Sequence, residues 1–159
     1  ASILRPEVAS EPVIDAVPEA LTLVIAFPKG STLTPEAEQR LAGVLESGAL
    51  ASDWPVVLRG HSDSEGSPAA NLATSRRRAQ AVAGWLVAHG VAEARISVVA
   101  LGGQNPVAPN ASDDGTPNEA GRARNRRVEI AIAAPDGEAA PVEAENGRGP
   151  TVAEQLSRD

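Results

Sequence analysis

Cysteine, methionine and tyrosine are absent from these 159 residues, and the aromatics are Phe27, Trp54 and Trp85 alone. Without cysteine there is no disulfide framework, no thiolate metal site and no cysteine nucleophile. Scarce aromatics and a net charge of -7 exclude a general nucleic-acid binder, which needs stacking rings and a broad basic face. No apolar run approaches the ~20 residues that span a bilayer, and Ala1 opens no signal-peptide pattern. Any contact with a membrane is therefore expected through a segment outside this sequence.

Lysine is nearly absent too: Lys29 stands against thirteen arginines, and seven of the fourteen basic residues fall in 76–78 and 122–127. An acidic chain thus carries a local basic cluster. The length suits one domain with a single core. Residues 1–18 hold Pro6, Pro12 and Pro18 among acids and read as an extended or disordered linker. Residues 134–159, rich in Pro and Gly with six acids against Arg148 and Arg158, read as a mostly disordered acidic tail. Residues 19–133 are left as the folded domain.

Within that domain, residues 21–27 form a short apolar run stopped by Pro28, which predicts a strand. Thr34-Pro35-Glu36 is a helix start, Ala37, Leu41, Val44 and Leu45 recur at helical spacing, and Gly48 is expected to end the helix. Residues 55–60 predict a second strand. From Pro68 to His89 the pattern is helical, with Leu72, Ala79, Val82, Ala83 and Leu86 on one stripe and Gly90 as C-cap. Residues 96–101 and 127–132 predict two more strands, the last alternating Val128, Ile130 and Ile132 to one face. The sum is β-α-β-α-β-loop-β, an α/β (α+β) arrangement of a sheet with helices packed on it.

Two segments carry polar chemistry: Gly60-His61-Ser62-Asp63-Ser64-Glu65-Gly66 after the second strand, and Gly121-Arg122-Ala123-Arg124-Asn125-Arg126-Arg127-Val128-Glu129-Ile130. With 100° per residue, Arg77 on the long helix faces water while Arg76 and Arg78 fall on opposite margins of the apolar stripe. Asn71 shares the margin of Arg78, and helical side chains lean toward the N-terminus, so Arg78 reaches back toward Asn71 and the Asp63 loop. The same residues also admit plainer readings. Arg76 to Arg78 suit a solvated helix face, Asp63 an Asx-turn, and His89 a cation at a helix C-terminus.

Enzyme chemistry fits poorly. His61, Ser62 and Asp63 are adjacent, so their side chains diverge and cannot align as a triad. A metal at His61 and Asp63 lacks further ligands. Asn110-Ala111-Ser112-Asp113-Asp114-Gly115 echoes a calcium loop, but Gly121 stands where a bidentate glutamate is required. The expectation is a non-enzyme with no metal and no cofactor.

These motifs, with Asn71-Leu72, Ser75, Arg78-Ala79, Gly90-Val91, Arg95-Ile96 and Asn105-Pro106-Val107 in order between them, resemble the OmpA-like C-terminal peptidoglycan-binding domain of OmpA, MotB and Pal-type proteins. The match covers roughly residues 20 to 133 and rests on several motifs in register. The resemblance implies a β-α-β-α-β-β two-layer sandwich with a mixed sheet. It implies noncovalent binding of peptidoglycan through the diaminopimelate of the stem peptide, in the periplasm at the outer membrane of a Gram-negative bacterium. By motif position, Asp63 pairs with the ligand ammonium and Arg78 with a carboxylate. Asn71 and Arg126 line the site, with Glu65 and Ala123 as further lining residues. The alternative is a protein–protein interaction domain with a degenerate pocket. The chain departs from the pattern where acids often follow the first strand and it has Phe27-Pro28-Lys29-Gly30, at Thr74 in place of the usual leucine, and in a longer segment from Asn110 to Gly121.

Overall fold

The computed structural model describes residues 18–135. The expected linker and tail lie outside the described residues except at their inner edges. Strand β1 (Leu21–Ala26) leads to α1 (Pro35–Leu45) and a one-turn helix α2 (Gly48–Ala51). Strand β2 (Val56–His61), the long helix α3 (Pro68–Ala88) and β3 (Ile96–Ala100) follow, and α4 (Glu119–Asn125) precedes β4 (Arg127–Ile132). The expected mixed α/β frame is present, with α2 and α4 added to it.

Local chemistry explains the boundaries. Thr34 caps α1 by accepting from the Ala37 amide at 3.0 Å, and Ser67 caps α3 by accepting from Ala70 at 3.1 Å, each followed by proline at the first helical position. Gly48 does not stop the chain as expected. Ser47 accepts from the Leu50 amide at 3.2 Å, and that cap recruits Gly48 as the first residue of α2. Helix α4 escapes sequence reading because EAGRARN has only two alanines for an apolar face; Asn118 starts it by accepting from Gly121 at 3.0 Å.

The sheet runs β1-β4-β2-β3. Strands β2 and β3 are parallel, joined by α3 as crossover, and β4 lies antiparallel between β1 and β2. In this register Ala26 and His61 both pair with Arg127, on opposite sides of β4. The ends of β1 and β2 and the beginning of β4 therefore meet at one end of the sheet. That relation, which joins segments far apart in sequence, builds the site.

The core is aliphatic but for Phe27: Ile25, Phe27, Leu41, Val44, Val56, Leu58, Val82, Leu86, Val128, Ile130 and Ile132 are all essentially inaccessible. Helix α3 packs on β2, β3 and β4, and α1 on β1. A side chain at Gly60 would overlap the Ser75 carbonyl, so glycine there lets α3 approach β2 closely. Leu72, expected on the buried stripe, is 40% exposed. The first turns of α3 run beyond the sheet, where Leu72 borders a groove with Gly102, Gly103 and Gln104 and has no strand to pack on.

Candidate functional site

At the sheet end just described, a cleft of about 500 Å³ opens between the loop after β1, the loop after β2, the start of α3 and the approach to β4. Asp63, Glu65, Asn71, Arg78 and Arg126 all line it. Ala123 does not: from this part of the chain only Glu119, at the start of α4, and Arg126, just after its end, line the cleft.

Arg78 is the fixed cation of the site. It is 3% exposed, donates from Nε to the Gly30 carbonyl at 2.6 Å and from Nη1 to the His61 carbonyl at 3.0 Å, and lies 5.8 Å from the centre of the Phe27 ring. Gly30 adopts φ +61, a left-handed conformation suited to glycine, and this turn aims its carbonyl at the guanidinium. Nη2 has no protein partner among the described residues. Burial pulls the Arg78 pKa down to about 10, the Asp63 carboxylate opposing and Arg126 and Arg77 assisting, so the group remains cationic at neutral pH.

Asp63 is 7% exposed. Its Oδ1 accepts from the Glu65 amide at 3.0 Å, the Asx-turn the sequence allowed, and its Oδ2 accepts from Arg126 Nη1 at 2.8 Å. Burial disfavours the charged form, but the Glu65 amide and the guanidiniums of Arg126 and Arg122 outweigh it and hold the carboxyl below the usual range.

Helix geometry placed Arg78 beside Asp63 as its partner. The two share the cleft, but the ion pair of Asp63 is with Arg126, because backbone carbonyls already hold Arg78. Arg126 in turn donates from Nη2 to Glu119 Oε2 at 2.7 Å. Asn71 donates to the Gly66 carbonyl at 3.3 Å and forms the rim between this cleft and the Leu72 groove.

The arginine cluster divides by role. Arg122 donates to the Asn110 carbonyl, and Arg127, 4% exposed, is held by Glu129 and the carbonyls of Asn105 and Asn125. Buried Asn125 accepts from the amides of Val107 and Ala108 and donates to the Ala108 carbonyl and Asn110 Oδ1. These residues bind the loop before α4 to β4 and do not face the cleft.

Sequence reasoning did not assign Lys29, Thr74 and Glu119 to the site, yet all three line it. The signals were faint: Lys29 is the sole lysine, Thr74 replaces an expected leucine, and Glu119 sits two residues before the glycine of the arginine motif. His61 is not a cleft residue. It is 2% exposed, with Nε2 3.4 Å from Glu129 Oε1 but outside hydrogen-bond geometry.

Among the described residues no group of three or more acidic or histidine side chains is arranged to hold a metal ion. The segment that echoes a calcium loop closes on itself, with the Thr116 amide and hydroxyl donating to Asp114 Oδ1 at 3.0 and 2.7 Å. Also among the described residues, no helix is long and apolar enough to cross a membrane. The cleft therefore presents a buried carboxylate and a buried guanidinium that are not paired with each other, a geometry for a small ligand carrying both charges.

The family model described as "OmpA family" matches residues 27–120. The chain is 40% identical over 103 residues to the peptidoglycan-binding protein ArfA of Mycobacterium bovis, covering 65% of this chain and 30% of that protein. It is 36% identical over 116 residues to the peptidoglycan-associated lipoprotein of Pseudomonas aeruginosa, covering 73% of this chain and 65% of the relative. Among solved structures, the cell wall anchor of the T6SS from Pseudomonas aeruginosa superposes with a TM-score of 0.57 at 31% identity, covering 76% of this chain and 85% of that one. The chain spans about a third of the length of the ArfA relatives it matches.

Proposed function

Since this chain belongs to the OmpA family, we propose that its cleft binds peptidoglycan noncovalently through the diaminopimelate of the stem peptide. The observation that carries the reading is the separation of charge: Asp63 and Arg78 are both buried, both line one cleft, and each keeps capacity for an outside partner. Diaminopimelate offers an ammonium and a carboxylate on one short residue. Its ammonium meets Asp63, and its carboxylate meets Arg78 Nη2, a charge-assisted contact on a guanidinium already fixed by two carbonyls. Asn71 and Glu65 border the ligand. The relatives named for peptidoglycan or for cell-wall anchoring support the same ligand class.

In this reading the domain is a tether, not an enzyme: it holds a cell-envelope component to the wall from the periplasm. Binding to each site is weak, and many sites along a wall supply avidity. The test is sedimentation with purified peptidoglycan. Asp63→Ala and Arg78→Ala each abolish co-sedimentation if the site is right, and wild-type binding in both variants overturns it.

A further inference from the structure

Arg126 does not meet the cleft as a free cation. Nη1 holds Asp63 Oδ2 at 2.8 Å, Nη2 holds Glu119 Oε2 at 2.7 Å, and Nε is buried without a partner among the described residues. Asp63 and Arg126 alone sum to zero formal charge, so that pair by itself attracts an ammonium only weakly. Glu119 changes the sum. With it, the Asp63–Arg126–Glu119 unit carries one net negative charge, in a cleft that the cations Arg78 and Lys29 also line.

The members of this unit are not equally accessible. The side chains of Asp63 and Arg126 are 9% and 12% exposed, whereas Glu119 is 73% exposed and its Oε1 has no partner among the described residues. Glu119 is thus the part of the anionic wall most open to a ligand. It comes from α4, which the loop from Asn110 to Gly121 delivers to the cleft.

We propose that Glu119 makes the cleft selective for an ammonium: it neutralises Arg126 so that Asp63 keeps an uncompensated charge, and it offers the ligand a second carboxylate. Arg126 is then a positioning residue that holds both carboxylates in place. The inference rests on the zwitterionic ligand proposed above, and it assigns a specificity determinant within that site.

Glu119→Gln separates charge from geometry, because the amide oxygen still accepts from Arg126 while the negative charge is lost. Titration calorimetry compares two soluble muropeptides, one with the free side-chain amine of diaminopimelate and one with that amine acetylated. Glu119→Gln is expected to weaken the free-amine ligand about fivefold, the scale of a partly exposed charge. The acetylated ligand, which has no ammonium to offer Asp63, is expected to bind wild type and variant alike and far more weakly, and the fivefold loss to shrink as salt rises. Unchanged or tighter binding of the free-amine ligand, or an equal loss for both ligands, overturns the inference. Asp63→Asn tells the two readings apart. If it abolishes binding while Glu119→Gln has no effect, only the role of Glu119 falls; if neither variant changes binding, the cleft assignment falls with it.

Discussion

Arg126 donates to Asp63 at 2.8 Å across 63 positions of sequence, and both side chains are largely removed from water. The pair joins the loop after β2 to the start of β4 and so ties the floor of the cleft together. A double-mutant cycle on Asp63→Asn and Arg126→Gln should give a coupling energy of about 1–3 kcal/mol by urea unfolding. The coupling should persist at high salt, since buried pairs are poorly screened; a value near zero would mean that the pair does not order the site.

Arg78 has a structural role separable from binding. Arg78→Lys keeps the charge but cannot satisfy both the Gly30 and His61 carbonyls in the same planar geometry. A loss of about 1–3 kcal/mol in stability is expected, together with at least a tenfold weaker grip on peptidoglycan. Thermal unfolding and co-sedimentation measure the two effects independently.

Acid should weaken the fold through Glu129. The His61 imidazole 3.4 Å away acts first on its carboxyl, burial opposes, and Arg127 adds to the effect, bringing the pKa from 4.5 down to about 2. A depressed carboxylate stabilises the fold above its unfolded value, and that contribution is lost as pH falls through the folded one. Stability is therefore expected to decline between pH 4.5 and about 2, and Glu129→Gln should flatten that limb in a series of melting curves. An unaltered limb in the variant would assign the acid sensitivity elsewhere.

Asn125 is fully buried and its side chain makes four hydrogen bonds to the loop before α4. Asn125→Ala leaves the Val107 and Ala108 amides without their acceptor, at a cost of about 2–3 kcal/mol in urea unfolding. Because that loop leads into α4, hydrogen exchange at Glu119 and its neighbours should rise as well.

Gly60→Ala drives a methyl into the Ser75 carbonyl, a backbone atom that cannot move aside cheaply. Overpacking of this kind costs about 1–3 kcal/mol, and a lower melting temperature than wild type is the expected readout. Gly84→Ala is a control, since a side chain there meets nothing within 4 Å.

The strands and the two main helices were legible because each carries a local signal: apolar runs of strand length, hydroxyl caps before proline, and an apolar stripe at helical spacing. Helix α4 was not, because it has no stripe and is held by Asn118 and by the loop contacts of Asn125 and Arg122. Leu72 was misassigned to the core because periodicity names a face of a helix, not how far the sheet extends beneath it.

What the sequence determined by itself was the four strands and two main helices, the apolar core and the presence of Asp63, Asn71 and Arg78 on one approach to the second strand. Those follow from local physics, the period of a helix or strand and the reach of a side chain. The tertiary structure alone decided which charges meet. Inserting β4 antiparallel between β1 and β2 brings Arg126 to Asp63, and the packing of α3 on the sheet brings Arg78 to the Gly30 carbonyl. Ion pairing between residues this far apart depends on strand order and register, which are settled by packing the whole sheet.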